Sequence, residues 1–160
     1  MNTKMTFNQL KWIAHDKNSS LVMNEGESVL SALERNRGKI KRESGSVLFK
    51  KTFCINDLII SADISLCGLG IYKLYVNNHC VNPDSFDPAI TSYSKRILYD
   101  VYDVNEFLSR GKNTIIVELG GGYFCPPEKY WGWRMAWHGN PKLALLLSYR
   151  TALGDIKKAR

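Results

Sequence analysis

From residue 47 onward the sequence alternates apolar and polar residues in short segments separated by turn-forming residues. The clearest segment, LIISADISL, places Ile60, Ala62, Ile64 and Leu66 at every second position. Successive side chains of a strand point to opposite faces, so period two is typical of a half-buried β-strand. Further strands are predicted in SVLFKKTFCI, IYKLYV, HCV, ILYDVY, TIIVELG and KLALLLSYR. Many short strands and one or two short helices predict an all-β fold, an antiparallel β-sandwich.

Two connections carry recognisable turn chemistry. Asn77-Asn78 joins IYKLYV to HCV, and because asparagine tolerates positive φ, we predict a tight hairpin of the primed type. DVNEFLSRGKN has Asp103 at an N-cap position, Glu106 three residues later and Gly111 as terminator. That spacing is a capping box, and it predicts about two turns of helix.

We divide the chain into three parts. Residues 1–46 form an N-terminal strand, in FNQLKWIA, and a polar extension that packs on or precedes the sandwich. Residues 47–153 form the sandwich module. Residues 154–160 follow the turn-like TALGD, and we expect them to begin a linker to a missing downstream domain.

Composition narrows the class of protein. No stretch approaches 18 apolar residues, so we expect no membrane span. The first 20 residues lack the continuous apolar segment of a secretory signal, which predicts a cytoplasmic protein, or a secreted one if a leader was removed. The four cysteines have no CxxC spacing, so a zinc site is not expected. Cys54, Cys67 and Cys80 lie in apolar runs and are interpreted as small core residues, with one disulfide as the alternative for an exported protein.

The net charge of +7 comes largely from two basic clusters, residues 35–42 and 157–160. Neither cluster is interleaved with aromatic residues or attached to a nucleic-acid-binding motif, so we expect no nucleic-acid partner. Binding of nucleic acid through residues 35–42 remains the alternative, and it predicts steeply salt-dependent retention.

The segment GGGYFCPPEKYWGWRMAWH, residues 120–138, carries six aromatic residues among glycines and prolines. Simple alternation cannot bury all of these rings, and exposed aromatic clusters favour binding. A sugar offers an apolar face for a ring and a rim of hydroxyls for polar side chains. The alternative is that the rings cover the sandwich or fill an interface with a neighbouring domain.

Carboxylates in the loops suggest two kinds of chemistry. Asp84 and Asp87, with the Asn77-Asn78 turn, supply the oxygens that a Ca²⁺ ion prefers, although Asx residues also form turns without any ion. A glycosidase pair would need two acids that face each other across a groove. Asp103 is already assigned to a cap and Asp87-Pro88 to a turn, so we expect no catalytic residue in this chain.

An ordered set of motifs resembles the N-terminal β-sandwich module of bacterial α-L-rhamnosidases. The matching pieces are YKLYVNN at 72–78, DPAITSYSKRILY at 87–99, YDVNEFLSRGKN at 102–113 and LGGGY at 119–123. The chain departs from the family pattern at Asn78, which replaces a turn glycine, at Ala89-Ile90, which replaces Gly-Trp, and at Tyr123, which replaces Trp.

The resemblance implies a jelly-roll, galactose-binding-like sandwich that is accessory to a hydrolase and has no catalytic residue of its own. Its implied partners are a rhamnose-containing glycan and the downstream catalytic domains of the same chain. We expect no required cofactor, with Ca²⁺ near Asn77, Asn78, Asp84 and Asp87 as the one ion to consider. The resemblance implies that such an ion, if bound, lies by position near Asn77, Asn78 and the loop 120–126. For sugar contact we predict stacking on Tyr123, Trp131 and Trp133, and hydroxyl bonding by Asn77, Asn78, Arg134 and His138. A purely structural packing module is the alternative.

Overall fold

The computed structural model describes residues 11–14, 46–85, 87–93, 95–125, 139–154 and 156–159, which form two antiparallel sheets. In chain order the elements are β1 (Ile13–Ala14), β2 (Val47–Ile55), β3 (Ile59–Leu69), β4 (Ile71–Val76), β5 (His79–Cys80), β6 (Asp100–Asp103), a 3₁₀ helix (Asn105–Phe107), β7 (Gly111–Gly120), β8 (Lys142–Thr151) and β9 (Ile156–Ala159). The first sheet has the order β1-β8-β3-β6, with β9 also paired to β8, and the second has the order β2-β7-β4-β5. The predicted antiparallel all-β architecture is confirmed.

The hydrophobic core lies between the two sheets, at every second position of the central strands. Ala62, Ile64 and Leu66 of β3 are buried, as the alternation predicted. They belong to one cluster with Leu74 of β4 and Val117 of β7 in the opposite sheet. Burying one large aliphatic side chain contributes about 1.5–3 kcal/mol, so this contact between sheets is a main source of stability.

Ile60 was predicted to face the core, and this prediction is wrong. The pairing of β3 with β8 shifts register between Ile59 and Ser61, and Ile60 is 56% exposed. A bulge leaves one residue unpaired and changes which following residues face inward. The alternation read from the sequence therefore holds only from Ala62 onward.

The chain passes from the first sheet to the second at a single residue, Gly70, between β3 and β4. Gly70 has φ 145°, a conformation that L side chains rarely adopt. A Cβ atom added there would collide with the carbonyl oxygen of Gly120. Glycine is therefore required at this crossing both for its backbone angle and for the close approach of β7.

The predicted Asn77-Asn78 hairpin is confirmed. Both residues have positive φ, 47° and 71°, and β4 and β5 pair antiparallel on either side of them. Two positive φ angles are the mark of the primed turn that matches the twist of the strands.

The predicted helix after Asp103 is wrong in type and length. The segment forms only the 3₁₀ helix Asn105–Phe107, and its N-cap, Val104, makes no side-chain cap bond. The Asp103 side chain instead accepts a hydrogen bond from the Asn105 backbone N–H at 3.0 Å. Val104 is fully buried in the core, and the chain is already extended at Leu108, so the segment does not continue into α-helix.

Both ends of the described chain add edge strands to β8. Ile13–Ala14 pairs with Leu143 and Lys142, and β9 pairs with residues 147–150. Residues 154–160, interpreted as the start of a linker, thus include a strand that folds back on the sandwich. The part of the chain that the structure describes contains no helix with the length and apolarity needed to cross a bilayer.

Candidate functional site

The sequence-predicted polar residue Asn77 is committed to the fold. Its side-chain amide donates to the backbone carbonyl of Phe107 and to Asn113 Oδ1, each at 2.8 Å. Its Oδ1 atom accepts from the Thr114 backbone N–H, also at 2.8 Å. The side chain therefore ties the hairpin to β7 and to the 3₁₀ helix.

Two other predicted sugar-contact residues lie at the surface. Asn78 is exposed at the hairpin tip, and Tyr123 is 52% exposed. Tyr123 follows Gly122, which has φ 52° and whose added Cβ would press on Ile71. The glycine bend thus lies against β4 and leaves the Tyr123 ring in solvent. Trp131, Trp133, Arg134 and His138 fall outside the described residues.

The loop after β5 completes the free edge of β4. The Val81 backbone N–H donates to the Leu74 carbonyl at 2.8 Å, and the Tyr72 N–H donates to the Asp87 carbonyl at 2.9 Å. Between them, Asn82 Oδ1 accepts from the Leu74 N–H at 2.8 Å. The Asn82 side chain replaces a peptide unit here, so the edge is capped without a further regular strand.

Asp87 is the centre of a hydrogen-bond network in this loop. Its Oδ2 atom accepts from the hydroxyls of Ser85 and Tyr102 and from the Asn82 amide, the last two at 2.6 and 2.9 Å. Its peptide bond to Pro88 is cis. Through its hydrogen bonds, Asp87, which is part of the motif that carries the family resemblance, holds the loop in place.

Two tyrosines continue the network across the sandwich. Tyr72 comes from β4 in the second sheet, and Tyr102 comes from β6 in the first. Their hydroxyl oxygens are 3.0 Å apart, and the Tyr72 hydroxyl donates to Asp100 Oδ2 at 2.7 Å. Asp87 and Asp100 thus lie at the two ends of a chain that runs through both hydroxyls, and these hydroxyls occupy the space between the carboxylates.

The network shifts the titration of its members. Burial tends to raise the pKa of the Asp87 carboxyl, but hydrogen bonds from Ser85, Tyr102 and Asn82, with the charge of Lys73, hold it below its usual value. Burial, with the hydrogen bonds to Tyr102 and Asp100, raises the pKa of Tyr72 above its usual value. The stable state is therefore an ionised Asp87 held by neutral phenols.

Sequence reasoning missed Tyr72, Tyr102 and Asp100 as network members. The available signal was their position, because Tyr72 and Tyr102 lie at the inward positions of their strands. A buried tyrosine hydroxyl usually needs a hydrogen-bond partner, but the acids that supply it, Asp100 for Tyr72 and Asp87 for Tyr102, lie 28 and 15 positions away in the sequence.

The residues proposed around Ca²⁺ do not fit that ion well. Asn77 uses its side-chain oxygen and nitrogen within the fold, and Asp87 Oδ2 already accepts three hydrogen bonds. Asp84 and Asn78 are exposed. Among the described side chains, no group of three or more His, Cys, Asp or Glu is arranged to hold a metal.

Cys54, Cys67 and Cys80 are free thiols. Cys67 is buried and donates to the Leu98 carbonyl at 3.2 Å; burial, followed by the Asp100 charge, raises the pKa of its thiol to about 12. Cys54 is exposed on the edge strand β2, so its interpretation as a core residue is wrong. The adjacent Ile55 is buried, so Cys54 points to the opposite, solvent-facing side of the sheet.

The chain matches one protein family. Residues 57–158 match the family model of the α-L-rhamnosidase N-terminal domain. An α-L-rhamnosidase of Formosa agariphila is 30% identical over 101 residues, which cover 63% of this chain and 10% of that protein.

Two solved structures have the same fold. The α-L-rhamnosidase from Dictyoglomus thermophilum has a TM-score of 0.67 and 27% identity, covering 94% of this chain and 15% of that one. The native enzyme from Aspergillus terreus has a TM-score of 0.66 and 28% identity, covering 72% of this chain and 13% of that one. The chain thus spans only a small part of the length of these relatives.

Asp87→Asn should lower the free energy of unfolding by about 2 kcal/mol at pH 7, because an ionised acceptor of three hydrogen bonds is lost. The pKa of Asp87 is lower folded than unfolded. Its contribution is therefore complete above the unfolded pKa of about 3.9 and is lost as pH falls through the folded value. Urea unfolding at pH 7, 5 and 3 should show a flatter acid dependence for the variant. Asp84→Asn, in the same loop, is the control, and equal behaviour of the two variants would contradict the role of Asp87.

Proposed function

This chain belongs to the α-L-rhamnosidase N-terminal domain family, and we propose that it is a non-catalytic module that positions the remaining domains of an α-L-rhamnosidase. The module presents a rigid sandwich with an apolar edge to those domains. Cleavage of the rhamnoside is carried out by acids elsewhere in such an enzyme.

The use of the carboxylates supports the non-catalytic part of this proposal. Glycoside hydrolysis needs two carboxyl groups with the scissile bond between them. Asp87 and Asp100 are separated by the hydroxyls of Tyr72 and Tyr102, so a sugar has no room there. Asp103 is used by the Asn105 N–H. These acids serve the fold.

One observation carries the positioning part, an apolar ridge formed by Tyr99 and Val101. The two residues are two apart on extended chain, so they point to the same side, away from the core-facing Asp100 and Tyr102. Tyr99 is 39% exposed and Val101 is 57% exposed, beside the edge strand β6. An apolar surface next to a sheet edge is typical of a contact with another domain.

A rhamnoside-recognition role is the second candidate, and the exposure of Tyr123 favours it. Its ring lies in solvent at the start of the aromatic segment 120–138, where a sugar face can stack. Any affinity should be weak, since a monosaccharide has few atoms to contribute binding energy.

The 160-residue chain should show no turnover of an aryl α-L-rhamnoside above the buffer rate, because Asp87, Asp100 and Asp103 are held in structural bonds. Release of the aryl group is followed by absorbance, with an active α-L-rhamnosidase as positive control. Turnover that purifies with the chain, and is lost in Asp100→Asn, would overturn the non-catalytic assignment.

Because the ridge is exposed, we predict that the isolated chain self-associates weakly. The ridge of one copy would contact the ridge of another in place of a neighbouring domain. Val101→Lys should abolish the concentration dependence of the sedimentation coefficient, because a charge cannot be buried in that contact. The matched control is Leu153→Lys, which also replaces an exposed apolar side chain with lysine. Leu153 is 75% exposed and lies in the turn between β8 and β9. If Leu153→Lys has the larger effect, the ridge is not the contact surface.

The recognition role predicts that L-rhamnose perturbs the tryptophan fluorescence of the chain at millimolar concentration. Tyr123→Ala should weaken this response by about tenfold, because one stacking ring is removed. Tyr75→Ala is the comparison, since that tyrosine lies on β4 away from the bend. A flat titration at tens of millimolar rhamnose would rule out the recognition role and leave the positioning role intact.

A further inference from the structure

The ammonium group of Lys73 lies at a point where three main-chain carbonyl oxygens converge. Lys73 is on β4, between the inward-facing Tyr72 and Leu74, so its own side chain leaves the sheet on the opposite face. Its Nζ atom is 2.8 Å from the carbonyl oxygen of Asn82, 2.7 Å from that of Pro83 and 2.9 Å from that of Ser85.

Carbonyl oxygens carry partial negative charge, and three of them directed at one point repel each other unless a cation lies between them. Rings of such oxygens are the ligands that proteins offer to Ca²⁺ and K⁺. An ammonium group has three N–H donors, which match these three acceptors in number. We call residues 82–85 the carbonyl nest.

The nest is joined to the network around Asp87. Ser85 supplies both a nest carbonyl and a hydroxyl that donates to Asp87 Oδ2. Asn82 likewise supplies a nest carbonyl and an amide that bonds the same oxygen at 2.9 Å. The cation therefore fixes the path of the main chain at Asn82 and Ser85, whose side chains donate hydrogen bonds to Asp87.

We propose that the carbonyl nest is a cation site and that Lys73 fills it from within the chain, so that the loop takes its shape without a free metal ion. This differs from the calcium ion that the loop carboxylates Asp84 and Asp87 suggested in the sequence. The chain supplies its own tethered cation at this place. The inference holds whether or not the domain binds sugar.

A tethered ammonium has a thermodynamic advantage over a free ion. A free cation must be captured from solution at each folding event, and its contribution depends on its concentration. Lys73 is covalently present, so the loop keeps its geometry at any calcium level. Lys73 is also half-buried and makes three charge-assisted bonds, unlike an exposed lysine whose removal changes little.

The first test compares Lys73→Met, which keeps the side-chain length but removes the charge, with Lys50→Met, an exposed lysine on β2. Lys73→Met should lower the melting temperature by about 5 °C and Lys50→Met by less than about 1 °C. Amide hydrogen exchange at Tyr72 and Leu74 should accelerate only in Lys73→Met, because their N–H groups bond the loop. Equal effects of the two variants would overturn the proposal.

The second test restores the cation. Lys73→Ala opens the nest, and ammonium or potassium chloride should recover part of the lost melting temperature. Tetramethylammonium chloride at equal ionic strength should not, because its methyl groups keep the charge too far from the three carbonyl oxygens. The unsubstituted chain should be insensitive both to calcium chloride and to EGTA.

Two results would contradict the inference. A rise in the melting temperature of the unsubstituted chain with calcium, reversed by EGTA and retained in Lys73→Met, would mean that the loop takes a metal beside the lysine. Equal recovery of Lys73→Ala by tetramethylammonium and ammonium would mean that ionic strength alone acts and that the nest is not a cation site.

Discussion

The carboxylate of Asp87 is the interaction on which the open side of the sandwich depends. The chain must pass there from β5, at the edge of one sheet, to β6, at the edge of the other. The carbonyl oxygen of Asp87 accepts a hydrogen bond from the backbone N–H of Tyr72 on β4. The carboxylate of Asp87 accepts one from the hydroxyl of Tyr102 on β6. One residue thus bonds both sheets, and a partly buried carboxylate is stabilised where donors surround it in this way.

This arrangement bears on the non-catalytic role proposed for the domain. A domain whose acidic residues hold its own fold cannot easily use them on a substrate, since each would leave its donors unpaired. Under the proposed positioning role, its contribution to a larger enzyme lies in shape and surface. The apolar ridge at Tyr99 and Val101 and the solvent-exposed ring of Tyr123 are the two surface features available for that purpose.

Much of the fold could be predicted from the sequence, because alternation and turn chemistry are local. The strands around Ile64 and Val117 and the Asn77-Asn78 turn follow from period and positive φ alone. Ile60 and the segment after Asp103 could not be predicted, because a bulge and the burial of Val104 are decided by contacts with β8 and the core. The contacts of the candidate site were harder to predict than the strands. Asp87 and Asn77 were chosen for their chemistry, but whether their oxygens face a ligand or the protein's own N–H groups depends on residues up to 37 positions away.

The passage through Gly70 has a consequence for how this domain can vary. The connections from β5 to β6 and from β7 to β8 have many residues in which to absorb an insertion, whereas one residue separates β3 from β4, which lie in different sheets. Any lengthening would shift β4 along β7 and move every side chain of β4 out of step with its neighbours. Gly70 therefore fixes the position of one sheet relative to the other. Insertions that arise during evolution are accommodated in the longer connections instead.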